Sequence, residues 1–208
     1  MILCDIGNTT ASFWEDGKIT KFNIDKFKSY KPNEKVYFIS VNDKLNKKLS
    51  NENFINLEPF VQLNTSYERL GIDRAMACYT IKTGLVVDAG SAITLDIISN
   101  NIHLGGAILP GLSAYLETYS NISPRLKINL NSQIDLSSLP QQTSDAVSYG
   151  IIKPILLLIK EMANDKQIYF TGGDGVFFER FFENSIYSKD LVFLGMRKII
   201  EENKEILC

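Results

Sequence analysis

Three short segments place glycine directly after an apolar run: Asp5-Ile6-Gly7-Asn8-Thr9, Asp88-Ala89-Gly90-Ser91 and Thr171-Gly172-Gly173. Glycine at the end of a strand lets backbone N–H groups approach an anion with no Cβ in the way. Asn8, Thr9 and Ser91 add side-chain donors. Asp5 and Asp88 would repel a phosphate directly, so the fitting partner is a cation that bridges to it, Mg²⁺ or a monovalent ion. A single strand-ending Asp-x-Gly is more often plain turn chemistry. Two matched copies followed by Thr-Gly-Gly favour a nucleotide cleft between two related halves. No GxxxxGK[ST] loop is present and no GxGxxG follows a strand, which argues against a P-loop or a dinucleotide fold.

The elements that must hold these turns follow from periodicity and punctuation. Apolar Met1–Cys4 leads into the first turn, and Thr10–Trp14 forms a second strand. Asp16-Gly17 marks a hairpin, and Ile19–Phe22 is a third strand. Lys35–Val41 is a further buried strand. Lys44–Asn51 is a lysine-rich helix or loop, best read as a solvated face. Asp73–Thr83 has helical spacing at Ala77, Cys78 and Ile81. The opening pattern then recurs. Gly84–Val87 runs into Asp88, Ile93–Ile98 and Ile102–Ile108 are strands, and Asn100-Asn101 is the turn between them. Asp88 lies 83 positions after Asp5, so the chain carries two copies of one strand–turn–strand–turn–strand unit, with the repeat setting the architecture.

Beyond the second copy, Pro110-Gly111 breaks the chain. Leu112–Tyr119 is predicted helical and residues 122–142 irregular. Thr143 is predicted to cap a long helix with Asp145 in its first turn and apolar positions through Ile159. Gln167–Phe170 is a strand, Val176–Phe182 a helix, Leu191–Phe193 a last strand, and Met196–Ile206 a closing amphipathic helix. The division implied is 1–84 and 85–208, with no flexible linker.

Composition limits the function classes. The chain has 208 residues, 45% hydrophobic and 22% charged, with a formal net charge of −2. That balance fits a globular protein able to bury a core without disulfides, and argues against a nucleic-acid binder, which needs a basic face. Three widely spaced cysteines, Cys4, Cys78 and Cys208, fit a reducing compartment and no thiolate metal site. The single histidine, His103, sits between Ile102 and Leu104 in a strand pattern and reads as structural. No apolar run reaches the roughly 18–20 residues of a membrane span. The N-terminus lacks a basic n-region, so a cytoplasmic location and no membrane partner are expected.

Taken together, these segments resemble the actin-like ATPase superfamily, and within it the type III pantothenate kinases. The resemblance rests on Asp5-Ile6-Gly7-Asn8-Thr9, Gly71-Ile72-Asp73-Arg74, Asp88-Ala89-Gly90-Ser91-Ala92-Ile93-Thr94-Leu95-Asp96, Gly105-Gly106-Ala107-Ile108-Leu109-Pro110-Gly111, Thr143-x-x-Ala146-x-x-x-Gly150 and Thr171-Gly172-Gly173. They stand in family order over most of the chain. The resemblance implies an α/β protein of two actin-like (ribonuclease H-like) halves, each a mixed sheet flanked by helices, with ATP in the cleft. It implies ATP-dependent phosphorylation of pantothenate to 4′-phosphopantothenate, the first step towards coenzyme A.

The site residues implied by the family are as follows. Asp5, Ile6, Gly7, Asn8, Thr9, Thr10, Ala11 and Ser12 would hold the ATP phosphates, with Ser91 contributing from the second turn. Asp88 would bind the monovalent cation, K⁺ or NH₄⁺, beside Mg²⁺. Gly71, Ile72, Asp73 and Arg74 would line the pantothenate pocket, Thr143 would touch pantothenate, and Asp73 would be the general base. A homodimer shaping that pocket is also implied. The residue types suit the chemistry: a carboxylate accepts the alcohol proton and a guanidinium pairs with an anionic substrate group. Alone, Asp73-Arg74 would be a helix-start carboxylate beside a surface arginine. The chain departs from the family at Ser91, where threonine is usual, and before Gly71, where Asn-Pro is missing. There Tyr67 stands for the pantothenate-contacting tyrosine at a contracted distance. The chain is also short, implying trimmed loops. Two other functions fit the same residues: an actin-like kinase for another small alcohol or acid, and a non-catalytic nucleotide-dependent regulator.

Overall fold

The computed structural model describes residues 1–46, 49 and 53–207. Part of the lysine-rich segment Lys44–Asn51, and Cys208, lie outside the described residues. The chain forms two compact units, Met1–Ile81 with Asp190–Cys208, and Lys82–Lys189.

In the first unit, β1 (Ile2–Ile6), β2 (Thr10–Glu15) and β3 (Lys18–Asn23) form an antiparallel meander. The β2–β3 turn is made by Asp16 and Gly17, both at positive φ (46° and 84°), the conformation a tight two-residue hairpin requires. α1 (Ile24–Phe27) follows, its first turn capped by the Asn23 side chain. β4 (Val36–Ser40) pairs parallel with β1 and is buried at every residue, as a strand covered on both faces must be. After α2 (Asp43–Asn46), β5 (Phe54–Asn56) adds a parallel edge, giving the order β3-β2-β1-β4-β5. A two-residue strand, β6 (Asn64–Thr65), precedes α3 (Ile72–Cys78). One face of the sheet packs an aromatic cluster: Phe13 and Phe22 meet edge to face at 5.5 Å, and Phe38 and Phe54 at 5.8 Å. Such pairs add roughly 0.5–1.5 kcal/mol beyond area burial.

The second unit repeats this plan. β7 (Gly84–Ala89), β8 (Ala92–Ser99) and β9 (Ile102–Pro110) form the meander. β10 (Ile168–Thr171) and β11 (Ser185–Tyr187) pair parallel on the other side of β7, in the order β11-β10-β7-β8-β9. The repeat seen in the sequence is therefore a repeat of topology, β1 matching β7 strand for strand. α4 (Leu112–Ile122) and the long α5 (Thr143–Ala163) cover one face. On α5, Ile151, Ile155 and Ile159 recur every fourth residue and meet Leu85, Val87, Ile93 and Leu95 of the sheet, one helical stripe against one sheet face. Thr143 is the first helical residue and Gln142 the cap, so the expected threonine cap is displaced by one position. α6 (Gly175–Glu179) follows β10.

The C-terminal segment departs from expectation. Leu191–Phe193 is not a strand but the first turn of α7 (Leu191–Glu202), followed by α8 (Lys204–Leu207). The last strand is Ser185–Tyr187. This segment belongs with the first unit and not with 85–208, because α7 packs on α3. Gly195 makes the approach possible, since a Cβ there would overlap the Met76 carbonyl oxygen.

The chemistry of the candidate site

In the first unit the Asp5–Ser12 turn is closed by the Gly7 N–H donating to the Thr10 carbonyl at 2.9 Å. A Cβ on Gly7 would stand 3.2 Å from that carbonyl oxygen, tight enough to open the turn. Asn8, Thr9 and Thr10 are exposed, and Asp5 lies directly across from Ser12. Ile6 and Ala11 are fully buried, so any part they take in holding phosphate belongs to their backbone.

The second element of that unit is the start of α3. Gly71 precedes the helix, and the Asp73 carboxylate turns back to accept the Arg74 N–H at 2.8 Å. A Cβ on Gly71 would come within 2.7 Å of the Asp73 Oδ1, so glycine is needed for this carboxylate to sit where it does. Arg74 is 6% exposed, not the surface arginine that the dipeptide alone suggests. Its guanidinium lies 4.9 Å from the Tyr67 ring centre, and its Nη1 donates to the Tyr67 hydroxyl at 3.4 Å. A cation on an aromatic face is held in place as well as stabilised. Tyr67, Gly71, Asp73 and Arg74 are thus brought together, while the Ile72 side chain is buried.

In the second unit Asp88 is the penultimate residue of β7, between Thr94 on β8 and Thr171 on β10. The Gly90 N–H donates to the Ala92 carbonyl at 2.9 Å, a turn one residue shorter than its counterpart at Gly7. Gly111 lies over it, donating to the Ser91 carbonyl at 3.1 Å, with no room for a Cβ against the Gly90 and Ser91 carbonyl oxygens. Gly172, at φ 81°, is equally confined: a Cβ would stand 2.5 Å from Asp88 Oδ1. The three glycine elements of this unit therefore converge on Asp88 and Ser91. Asp174, which the sequence reading passed over, belongs here. Its N–H donates to the Ala89 carbonyl at 2.9 Å, and burial raises its carboxyl pKa. The available signal was an acid directly following Thr-Gly-Gly. Thr143 is exposed at the start of α5, two residues before Asp145, whose carboxyl is held below its usual range by hydrogen bonds from Asn131 and Gln142.

Among the described residues no group of three or more His, Cys, Asp or Glu side chains comes together. Asp88 offers a hard carboxylate oxygen of the type that K⁺ or Mg²⁺ accepts. One carboxylate beside carbonyl oxygens suits a monovalent cation, or Mg²⁺ that keeps its waters and phosphate ligands. His103 is a buried residue hydrogen-bonded to Asp96 at 2.8 Å, a structural pair. Cys4 and Cys78 are buried, and burial followed by the nearby Asp5 pushes the Cys4 pKa up. The raised pKa keeps the Cys4 thiol from thiolate chemistry. No helix among the described residues is long and apolar enough to cross a membrane.

Two sheets of one topology, each with Asp-x-Gly where its first strand ends, make up the actin-like fold. A solved structure of the ethanolamine utilization protein EutJ from Carboxydothermus hydrogenoformans shares the fold at TM-score 0.50 and 13% identity, covering 93% of this chain and 87% of that one. The type III pantothenate kinase family model matches residues 57–165. A type III pantothenate kinase of Campylobacter jejuni is 56% identical over 208 residues, 100% of both chains. A crystal structure of a conserved Baf family protein from Campylobacter jejuni superimposes at TM-score 0.93 with 54% identity, covering 99% of this chain and 100% of that one. The chain belongs to the type III pantothenate kinase family. Its compact length is shared with these relatives.

Proposed function

We propose that this chain transfers the terminal phosphoryl group of ATP to the primary hydroxyl of pantothenate, forming 4′-phosphopantothenate for coenzyme A synthesis. The observation that carries the reading is the Gly71–Arg74 element: a carboxylate fixed by the first turn of α3, beside a buried arginine stacked on Tyr67. Asp73 accepts the hydroxyl proton as the general base, and Arg74 pairs with the pantothenate carboxylate. Tyr67, Gly71, Ile72 and Thr143 complete the acceptor pocket. The turn from Asp5 to Ser12, with Ser91, holds the phosphates through backbone N–H and hydroxyl donors, which stabilises charge that spreads over the transferring group. Asp88 holds K⁺ or NH₄⁺, and Mg²⁺ accompanies the nucleotide. Those cations supply charge neutralisation at the phosphates when bound. The working form is a homodimer in the cytoplasm.

ADP release with ATP, Mg²⁺ and pantothenate, in potassium and then in sodium, tests the reading. Turnover that requires both pantothenate and potassium is expected. D73N should lose turnover by about 10²–10⁴-fold, the range of general-base catalysis, with ATP and pantothenate still bound. Near-normal turnover of D73N would remove Asp73 from the base role. A kinase for another acceptor would release ADP with that acceptor and not with pantothenate. A regulator would bind ATP with no phosphorylated product.

A further inference from the structure

The phosphate turns of this chain carry carboxylates, Asp5 and Asp88, and no lysine of their own. The sheet register supplies one from outside the turn. Across the meander Asp5 on β1 is paired with Ser12 on β2, and Ser12 is paired with Lys21 on β3. Residues directly opposite in antiparallel strands project from the same face, so Asp5, Ser12 and Lys21 form one row on one face of the sheet. Neighbouring strands lie about 4.8 Å apart, which sets the Lys21 backbone about 5 Å from Ser12 and about 10 Å from Asp5. Lys21 is exposed, and its four-carbon stem is long enough for the ammonium to reach across Ser12 to the mouth of the turn.

Neighbouring cations are placed differently. Lys18 pairs across from Glu15 and so belongs to the opposite face. Lys26 stands 5.3 Å over the Phe22 ring, which packs with the cluster on that opposite face. Lys28 is paired with Asp25 at 2.6 Å. A lysine on an edge strand commonly serves to discourage edge-to-edge pairing, but that role does not depend on which face it occupies.

We propose that Lys21 is a phosphate-contacting residue of the kinase site, neutralising the β- and γ-phosphates of ATP held at the Asp5–Ser12 turn. The proposal rests on the assignment of that turn to the ATP phosphates. It names the cation that offsets Asp5 in a site with no P-loop lysine, and it gives Lys21 a part in stabilising charge on the transferring group.

The test compares wild type with K21M, which keeps the stem and removes the charge, with K21R, and with K18M as an edge-strand control. ATP and AMP are titrated into each protein with Mg²⁺ by calorimetry, and ADP release is then measured with pantothenate. A charge-assisted contact corresponds to roughly 10- to 100-fold in affinity. K21M should lose that much ATP affinity while AMP affinity is unchanged, and K21R should recover most of it. K18M should match wild type. In turnover, kcat/KM for ATP should fall in K21M, with KM for pantothenate unchanged. ATP affinity of K21M within twofold of wild type, or an equal loss for AMP, overturns the proposal. The binding arm is independent of the acceptor. A wild type that binds ATP and does not phosphorylate pantothenate would refute the reaction proposed above, while Lys21 would still be judged by its ATP–AMP difference.

Discussion

Gly172 and Gly173 are adjacent and chemically identical, yet they should respond oppositely to a methyl group. Gly172 sits at φ 81°, and a Cβ there would overlap the Ala89 carbonyl oxygen and approach Asp88 Oδ1 to 2.5 Å. Holding an L-residue in the left-handed region costs about 1–2 kcal/mol. Forcing a methyl into packed atoms adds about 1–3 kcal/mol. G172A should therefore lose about 2–5 kcal/mol. With an m-value of about 2–3 kcal/mol/M, the urea midpoint should fall by about 1–2 M. Nothing lies within 4 Å of a Cβ built on Gly173, and its φ is not in the left-handed region. G173A should accordingly be neutral, or more stable by up to about 1 kcal/mol through loss of freedom in the unfolded chain. Urea unfolding of the two variants followed by circular dichroism decides the matter. Equal shifts of the two midpoints, or a G172A stability within about 0.5 kcal/mol of wild type, would refute the steric difference between the two glycines. Because the methyl in G172A pushes on Asp88, that variant should also need more potassium for half-maximal turnover, an effect G173A should not share.

Other expectations follow from the packing. Asp96 and His103 are each about 1% exposed and joined at 2.8 Å, so D96A leaves a buried imidazole without this hydrogen-bond partner and should cost about 1–3 kcal/mol in urea unfolding. G195A would drive a methyl into the Met76 carbonyl and separate α3 from α7. A loss of about 1–3 kcal/mol is expected, and an unchanged melting curve would show that the two helices can move apart freely. Hydrogen bonds from the Ser137 hydroxyl, the Ser138 hydroxyl and the Ser137 N–H lower the Asp135 pKa to about 2. Its stabilising effect is thus present above the unfolded value of 3.8 and lost as pH falls through about 2. Carboxyl titration followed by NMR should show this midpoint, and S137A should move it upward.

Much of this molecule is legible in its sequence because the signals are local. A strand period of two, Asp16-Gly17 at the hairpin and the recurrence of Asp-x-Gly after 83 residues are enough to draw both meanders. They also mark the turns that carry Asp5, Asp88 and Ser91. The fourth-residue recurrence of Ile151, Ile155 and Ile159 gives α5 in the same way. Local signals fail where a residue's state depends on a distant partner. Leu191–Phe193 has the composition of a short buried strand, but it opens α7, the helix that packs on α3, which lies more than a hundred residues earlier in the sequence. Asp73-Arg74 reads as surface chemistry until Tyr67 covers the guanidinium. Periodicity and turn chemistry are properties of neighbouring residues, so the repeat, the turns and the acidic residues at their ends can be read from chain order alone. Folding brings Gly111 and Gly172 over Asp88, joins the C-terminal helix to the first unit, and sets Lys21 on the same face as Asp5. Each of those depends on which backbone approaches which through space, and chain order does not encode that.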